Sequence, residues 1–155
     1  MTRQEIDDYI VSIGGLVNGW KGTPIMYLPA DCSEGWFPLI KNLIERLLLL
    51  GWDKEICQIK EKFGGLRFYI NSGTEQQHNI IAEYEQESYK ICEYCGDKLT
   101  AKIRPNLPWI LTLCDECYEK HQNKQTERQR TIVENFSQIN GENTSVKEGF
   151  PTDAT

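Results

Sequence analysis

Four of the chain's six cysteines fall in two C-x2-C pairs, Cys92 with Cys95 and Cys114 with Cys117, with 18 residues between them. Cysteine offers a soft thiolate, and two pairs at this spacing fit the range used by structural zinc sites. Four thiolates complete a tetrahedron and leave no open position for water or substrate. The expected site is therefore one structural Zn²⁺ held by Cys92, Cys95, Cys114 and Cys117. A module of this size rarely folds without such a staple, because its own core is too small.

The residues around the pairs predict how they are positioned. Gly96 follows Cys95 directly, where a turn that aims its amides at sulfur needs a positive φ. Cys114 follows the strand-like run WILTL, and Asp115, Glu116, Tyr118, Glu119 and Lys120 suit the opening of a helix. A turn, a hairpin and a helix that supplies two ligands from its first turn resembles the treble-clef class of zinc fingers.

Upstream, the pattern predicts an α+β body. Ile6, Tyr9, Ile10 and Ile13 recur at helical spacing and Gly14 with Gly15 ends that helix. Residues 14–35 lack a period and read as a long irregular connection, with Trp20, Tyr27 and Trp36 clustered in that region, either lining a pocket or roofing the core. A second helix over about 36–50 buries Phe37, Ile40, Leu43, Ile44, Leu47 and Leu48, and Pro38 sits in its first turn, where no amide partner is lost. ICQIKEKF and LRFYI then read as a β-hairpin about Gly64 and Gly65, with Leu66, Phe68 and Ile70 inward, Arg67 and Tyr69 outward, and Cys57 with Ile59 on the core face of the partner strand. A third helix over about 74–90 buries Gln77, Ile80, Ile81, Tyr84 and Ser88 and turns Glu75, Glu83, Glu85 and Glu87 to water.

These readings divide the chain into an α+β body over 1–90, a zinc module over 91–118, a polar helix over 119–137 and a disordered tail over 138–155. In the polar helix only Ile132, Val133 and Phe136 are apolar, so it faces solvent or awaits a partner.

Outside the cysteines, the best candidate for a binding site is the outward hairpin face, where Lys60, Lys62, Arg67 and Tyr69 place three cations beside an aromatic ring suited to a phosphate or an acidic partner. The same pattern also describes an ordinary solvated strand face. His78 and His121 pair with no nucleophile; Cys32 and Cys57 are lone thiols without an activating neighbour. KFGGLR is too short for a phosphate loop, and no HExxH or paired carboxylates stand out, so catalysis is not expected.

Charge and hydropathy narrow the class further. Lysine and arginine total 17 against 23 acidic residues, a formal −6, and Zn²⁺ on four thiolates would take it to about −8, which gives no general attraction to nucleic acid or anionic membrane. The apolar run 43–50 is broken by Glu45 and Arg46 and is too short for a bilayer. Arg3, Glu5, Asp7 and Asp8 stand where a signal peptide would be apolar, so a cytoplasmic protein is expected.

The strings DCSEGWFPLI, CQIKEKFGGLRFYI, ICEYCG and TLCDEC occur in that order. Together they resemble a family of small bacteriophage and prophage proteins without an assigned activity. The likeness covers about residues 30–118, and KEKFGGLRFY is its most distinctive part. It implies a phage accessory protein, acting in the host cytoplasm, and transfers no residue role.

Three functions fit. The first is an inhibitor or adaptor that binds a host or defence protein. A second is a nucleic-acid-binding zinc finger using Lys98, Lys102 and Arg104 with Lys120, Lys124 and Arg128. The third is a nucleotide-sequestering protein using Lys60, Lys62, Arg67, Tyr69 and the aromatic loop.

Overall fold

The computed structural model describes residues 1–17, 20–21 and 34–142. Expectations for Tyr27, Cys32 and the tail beyond 142 lie outside them. The described residues divide into two compact units, Met1–Tyr118 and the part of the last helix from Glu119 onward.

Helix α1 (Arg3–Ser12) starts from a capping box: the Thr2 hydroxyl accepts from the Glu5 amide while the Glu5 carboxylate accepts from the Thr2 amide. Its inward residues Ile6 and Ile10 are buried. Two short strands, β1 (Leu16–Val17) and β2 (Trp20–Lys21), follow, so the stretch expected to be irregular throughout contributes two sheet strands. A single 3-10 turn at Glu34–Trp36 leads into α2 (Phe37–Leu49), whose stripe of Phe37, Ile40, Leu43, Ile44 and Leu47 is buried as its period dictates.

Strands β3 (Glu55–Lys62) and β4 (Gly65–Ile70) pair antiparallel around Phe63 and Gly64. Both turn residues have positive φ, 55° and 75°, the backbone of a mirror-image two-residue turn that matches strand twist. β1 runs parallel to β3, giving a four-stranded sheet in the order β2-β1-β3-β4. The inward set on β4 is as its alternation predicts. On β3 it is not: Ile56 and Ile59 are buried while Cys57 is only half-buried. The pairing register shifts between Ile56 and Gln58, and this bulge inserts one residue and changes the phase, taking Cys57 out of the core.

Helix α3 (Glu75–Ser88) opens on a second capping box, Thr74 with Gln77, and buries Ile80 and Ile81 against the sheet. Its far end lies along the free edge of β4. The Ser88 hydroxyl accepts from the Leu66 amide at 2.9 Å and the Glu85 carboxylate from the Phe68 amide at 2.9 Å. Glu85, expected to face only water, thus closes a sheet edge that would otherwise offer bare amides.

Strands β5 (Lys102–Arg104) and β6 (Leu111–Leu113) form a second, two-stranded sheet, and α4 (Asp115–Glu142) follows. α4 is helical through Glu142, past the residue at which the tail was expected to begin. Among the described residues no helix is long and apolar enough to cross a membrane.

Candidate metal centre

The first cysteine pair sits on a tight turn. The Cys92 amide donates to the Asp97 carbonyl at 2.8 Å and the Gly96 amide to the Cys92 carbonyl at 2.8 Å, folding 92–97 back on itself. Gly96, at φ 81°, supplies the left-handed backbone that the fold-back needs. The second pair opens α4: Cys114 precedes it, Cys117 lies in its first turn, and the Cys117 amide points at the Cys114 sulfur at 3.4 Å. Asp115 and Glu116 add acid to that first turn, as a helix N-terminus favours.

These elements bring all four Sγ atoms within 4.8 Å of one another, with Cys95 and Cys114 at 3.6 Å. A tetrahedral zinc with bonds of about 2.3 Å has sulfur–sulfur edges of roughly 3.8 Å, so the cluster has the dimensions of a metal site. Cys92 and Cys114 are buried, Cys117 is half-buried and Cys95 exposed. Electrostatics also fit a cation. Burial, then hydrogen bonding to Cys114 and Cys95, pushes the Cys117 thiol far up, and burial raises Cys92. Cys114 is raised by burial but brought below its ordinary value by the Cys117 amide and the neighbouring thiols. Four crowded thiols do not all ionise alone; a dication at their centre removes that restraint.

The cysteine cluster has its own small core of Leu107, Leu111 and Leu113. It is also tied to the body through the expected boundary near residue 90. The Gly35 amide donates to the Glu93 carbonyl at 3.0 Å, and the fully buried Trp36 donates its ring N–H to the Ile91 carbonyl at 2.9 Å. Gly35 is pressed so close to the cysteine turn that a Cβ there would stand 2.1 Å from the Cys92 carbonyl oxygen and 2.6 Å from the Gly96 nitrogen. On the other side, the Thr112 hydroxyl donates to the Gly64 carbonyl at 2.6 Å, and the Trp109 ring N–H to Glu61 at 2.6 Å.

Two buried carboxyl groups hold this seam. Glu93, between the cysteines of the first pair, accepts from the Thr112 amide at 2.8 Å. Burial pushes its pKa up to about 8. Glu61 spends one oxygen on the Gly64 amide at 2.6 Å and the other on Trp109. Gly35, Glu61, Glu93 and Thr112 escaped the sequence reading. The only trace of the first was a glycine beside a tryptophan just before a helix, and of Glu93 an acid inside a C-x2-C pair.

The hairpin candidates are brought together in part. Lys60 pairs across the strands with Arg67, and its ammonium lies 5.4 Å from the Tyr69 ring centre; Lys62 lies 5.5 Å from that of Phe63. Arg67 is otherwise engaged. It donates to the Leu66 carbonyl at 2.6 Å and the Tyr89 hydroxyl at 2.9 Å, and pairs with Glu85 at 3.9 Å. Arg67→Ala is expected to lower stability by about 1–2 kcal/mol in urea titration, since it strands partly buried partners. Lys62→Ala, on an exposed side chain, is expected to leave the unfolding midpoint unchanged.

Three of the cations considered for nucleic acid, Lys98 and the β5 residues Lys102 and Arg104, are each paired. Lys102 and Arg104 both meet Asp115, and Lys98 lies 3.9 Å from Glu87. Lys124 and Arg128 lie on α4, where His121 contacts Gln125 at 2.8 Å; His78 is exposed on α3. A groove of about 400 Å³ lies between Leu50–Asp53 and Ser72–Gln77, and none of Lys60, Lys62, Arg67 and Tyr69 lines it. Of its lining, Ser72 is bound to Asp53 and Gln77 to the Leu50 backbone carbonyl, while the buried Trp52 ring N–H has no partner among the described residues.

Comparisons with protein families, with curated proteins and with solved structures find no match to the chain.

Proposed function

We propose that this is a zinc-stapled binding protein whose tetrathiolate centre is structural and whose activity is recognition of another protein. The observation that carries the zinc reading is the convergence of Cys92, Cys95, Cys114 and Cys117 to within 4.8 Å. An all-sulfur set of four suits Zn²⁺ and gives no open coordination position for catalysis. The order of turn, β5–β6 hairpin and α4 supports a treble-clef arrangement in which the metal fixes a platform. Recognition of protein rather than nucleic acid is supported by the formal −6 and by the carboxylate partners of Lys98, Lys102 and Arg104. With the resemblance to phage proteins, the partner is a host or defence protein in the cytoplasm.

The purified chain is expected to carry one zinc, and its cobalt form the intense charge-transfer and visible bands of a tetrahedral thiolate site. Elemental analysis that finds no metal, with all six thiols of the chain free to react, would sink the metal reading. Affinity purification from cells with nuclease treatment tests the partner class. Recovery of a stoichiometric protein that survives nuclease is expected, and nucleic acid alone would replace the reading.

A further inference from the structure

The β3–β4 turn carries a residue that its backbone does not favour. Phe63 holds φ 55° at the first central position of the tight turn, where asparagine or glycine is preferred. Its ring is also 63% exposed, so neither backbone ease nor burial accounts for it. Strain of this kind concentrates at binding sites.

Trp109 is exposed to a similar degree, 65%, yet it is not loose. Its ring nitrogen is fixed by Glu61, and the same carboxylate takes the Gly64 amide of the turn. Gly64 itself lies against Ile110 and Thr112, with Thr112 bonded to its carbonyl. One buried acid therefore holds both the turn that displays Phe63 and the loop that displays Trp109. A turn pinned in this way displays Phe63, and Lys62 beside its ring, with little backbone ordering entropy left to lose, as an interface anchor needs.

Charge says what would cover it. Lys60 and Lys62 lie on the strand leading into the turn, roughly 7 Å apart along it. Among the described residues neither has a carboxylate within ion-pair distance, whereas Lys98, Lys102 and Arg104 do. Two lysines without a carboxylate partner among the described residues are few against the roughly six to ten phosphate contacts of a strongly salt-dependent nucleic-acid complex. They suit a partner carrying a few carboxylates.

We infer that the Phe63 turn with Lys60 and Lys62 forms the docking surface for a protein segment combining apolar side chains with Asp and Glu. The inference rests on the protein-binding reading and names its surface. Random displayed peptides, selected on the zinc-loaded chain, provide the test. The expected winners are rich in acidic and large apolar residues, and lose at least about tenfold in affinity to Phe63→Asn and to the double change Lys60→Glu, Lys62→Glu. Phe63→Asn should itself melt at the same temperature or a few degrees higher, because asparagine tolerates the positive φ. Winners that bind Phe63→Asn equally would overturn this surface and leave protein recognition standing. Basic winners, or no enrichment, would overturn it as well. A single-stranded oligo-dT probe that binds at low salt and depends on Phe63 would move the surface to nucleic acid and overturn both readings.

Discussion

Cys114→Ser is expected to release the metal and to cost order well beyond the four ligands. Binding free energy at structural zinc sites is folding free energy, about 10–16 kcal/mol in zinc-finger peptides, so losing one of four thiolates removes a large share of what holds residues 91–118. The loss should spread along particular bonds. Thr112 holds the Gly64 carbonyl and, through Glu93, the first cysteine turn; Trp109 holds Glu61; Gly35 and Trp36 hold the carbonyls of Glu93 and Ile91. Hydrogen exchange on the mutant should therefore show lost protection from 91 to 118 and also at 61–66. The middle of α2, with Ile40, Leu43, Ile44 and Leu47 packed against Ile56, Ile59 and Phe68, should stay protected. Protection at Glu93 and Thr112 that survives both the mutation and a chelator would show that no metal staples this module.

Gly35→Ala is the second change with a large expected effect. The added methyl would overlap backbone atoms, the Cys92 carbonyl oxygen at 2.1 Å and the Gly96 nitrogen at 2.6 Å, and neither can move aside without opening the cysteine turn. A loss of about 3 kcal/mol or more is expected, the upper end for overpacking, together with weaker metal retention in a chelator competition. Gly51→Ala is the control. Gly51 has a positive φ, 69°, which Gly35 lacks, and nothing lies within 4 Å of its added Cβ, so only backbone strain of about 1 kcal/mol is expected there. Equal effects at the two sites would mean that the cysteine turn yields to the added methyl and that the close approach at Gly35 is not what holds it.

Local chemistry made much of this protein legible from its sequence. A four-thiolate site announces itself by residue type and spacing, because nothing but cysteine supplies that donor set and C-x2-C turns close over short range. The apolar stripe of α2 and the inward set of β4 follow the same rule: each depends on neighbours within a turn or a strand pair. The β3 alternation failed at Cys57 because a bulge is a property of the pairing, which one strand alone does not encode. Glu85 looked like one more solvated acid on α3, and only the placement of α3 along β4 gave it the Phe68 amide. Gly35, Glu61 and Glu93 likewise acquire their roles from residues well beyond their own elements. The sequence by itself determined that four sulfurs would share an ion-sized space. The tertiary structure decided what that space is bolted to, because a buried carboxyl group or a bare glycine takes its meaning from what packs against it.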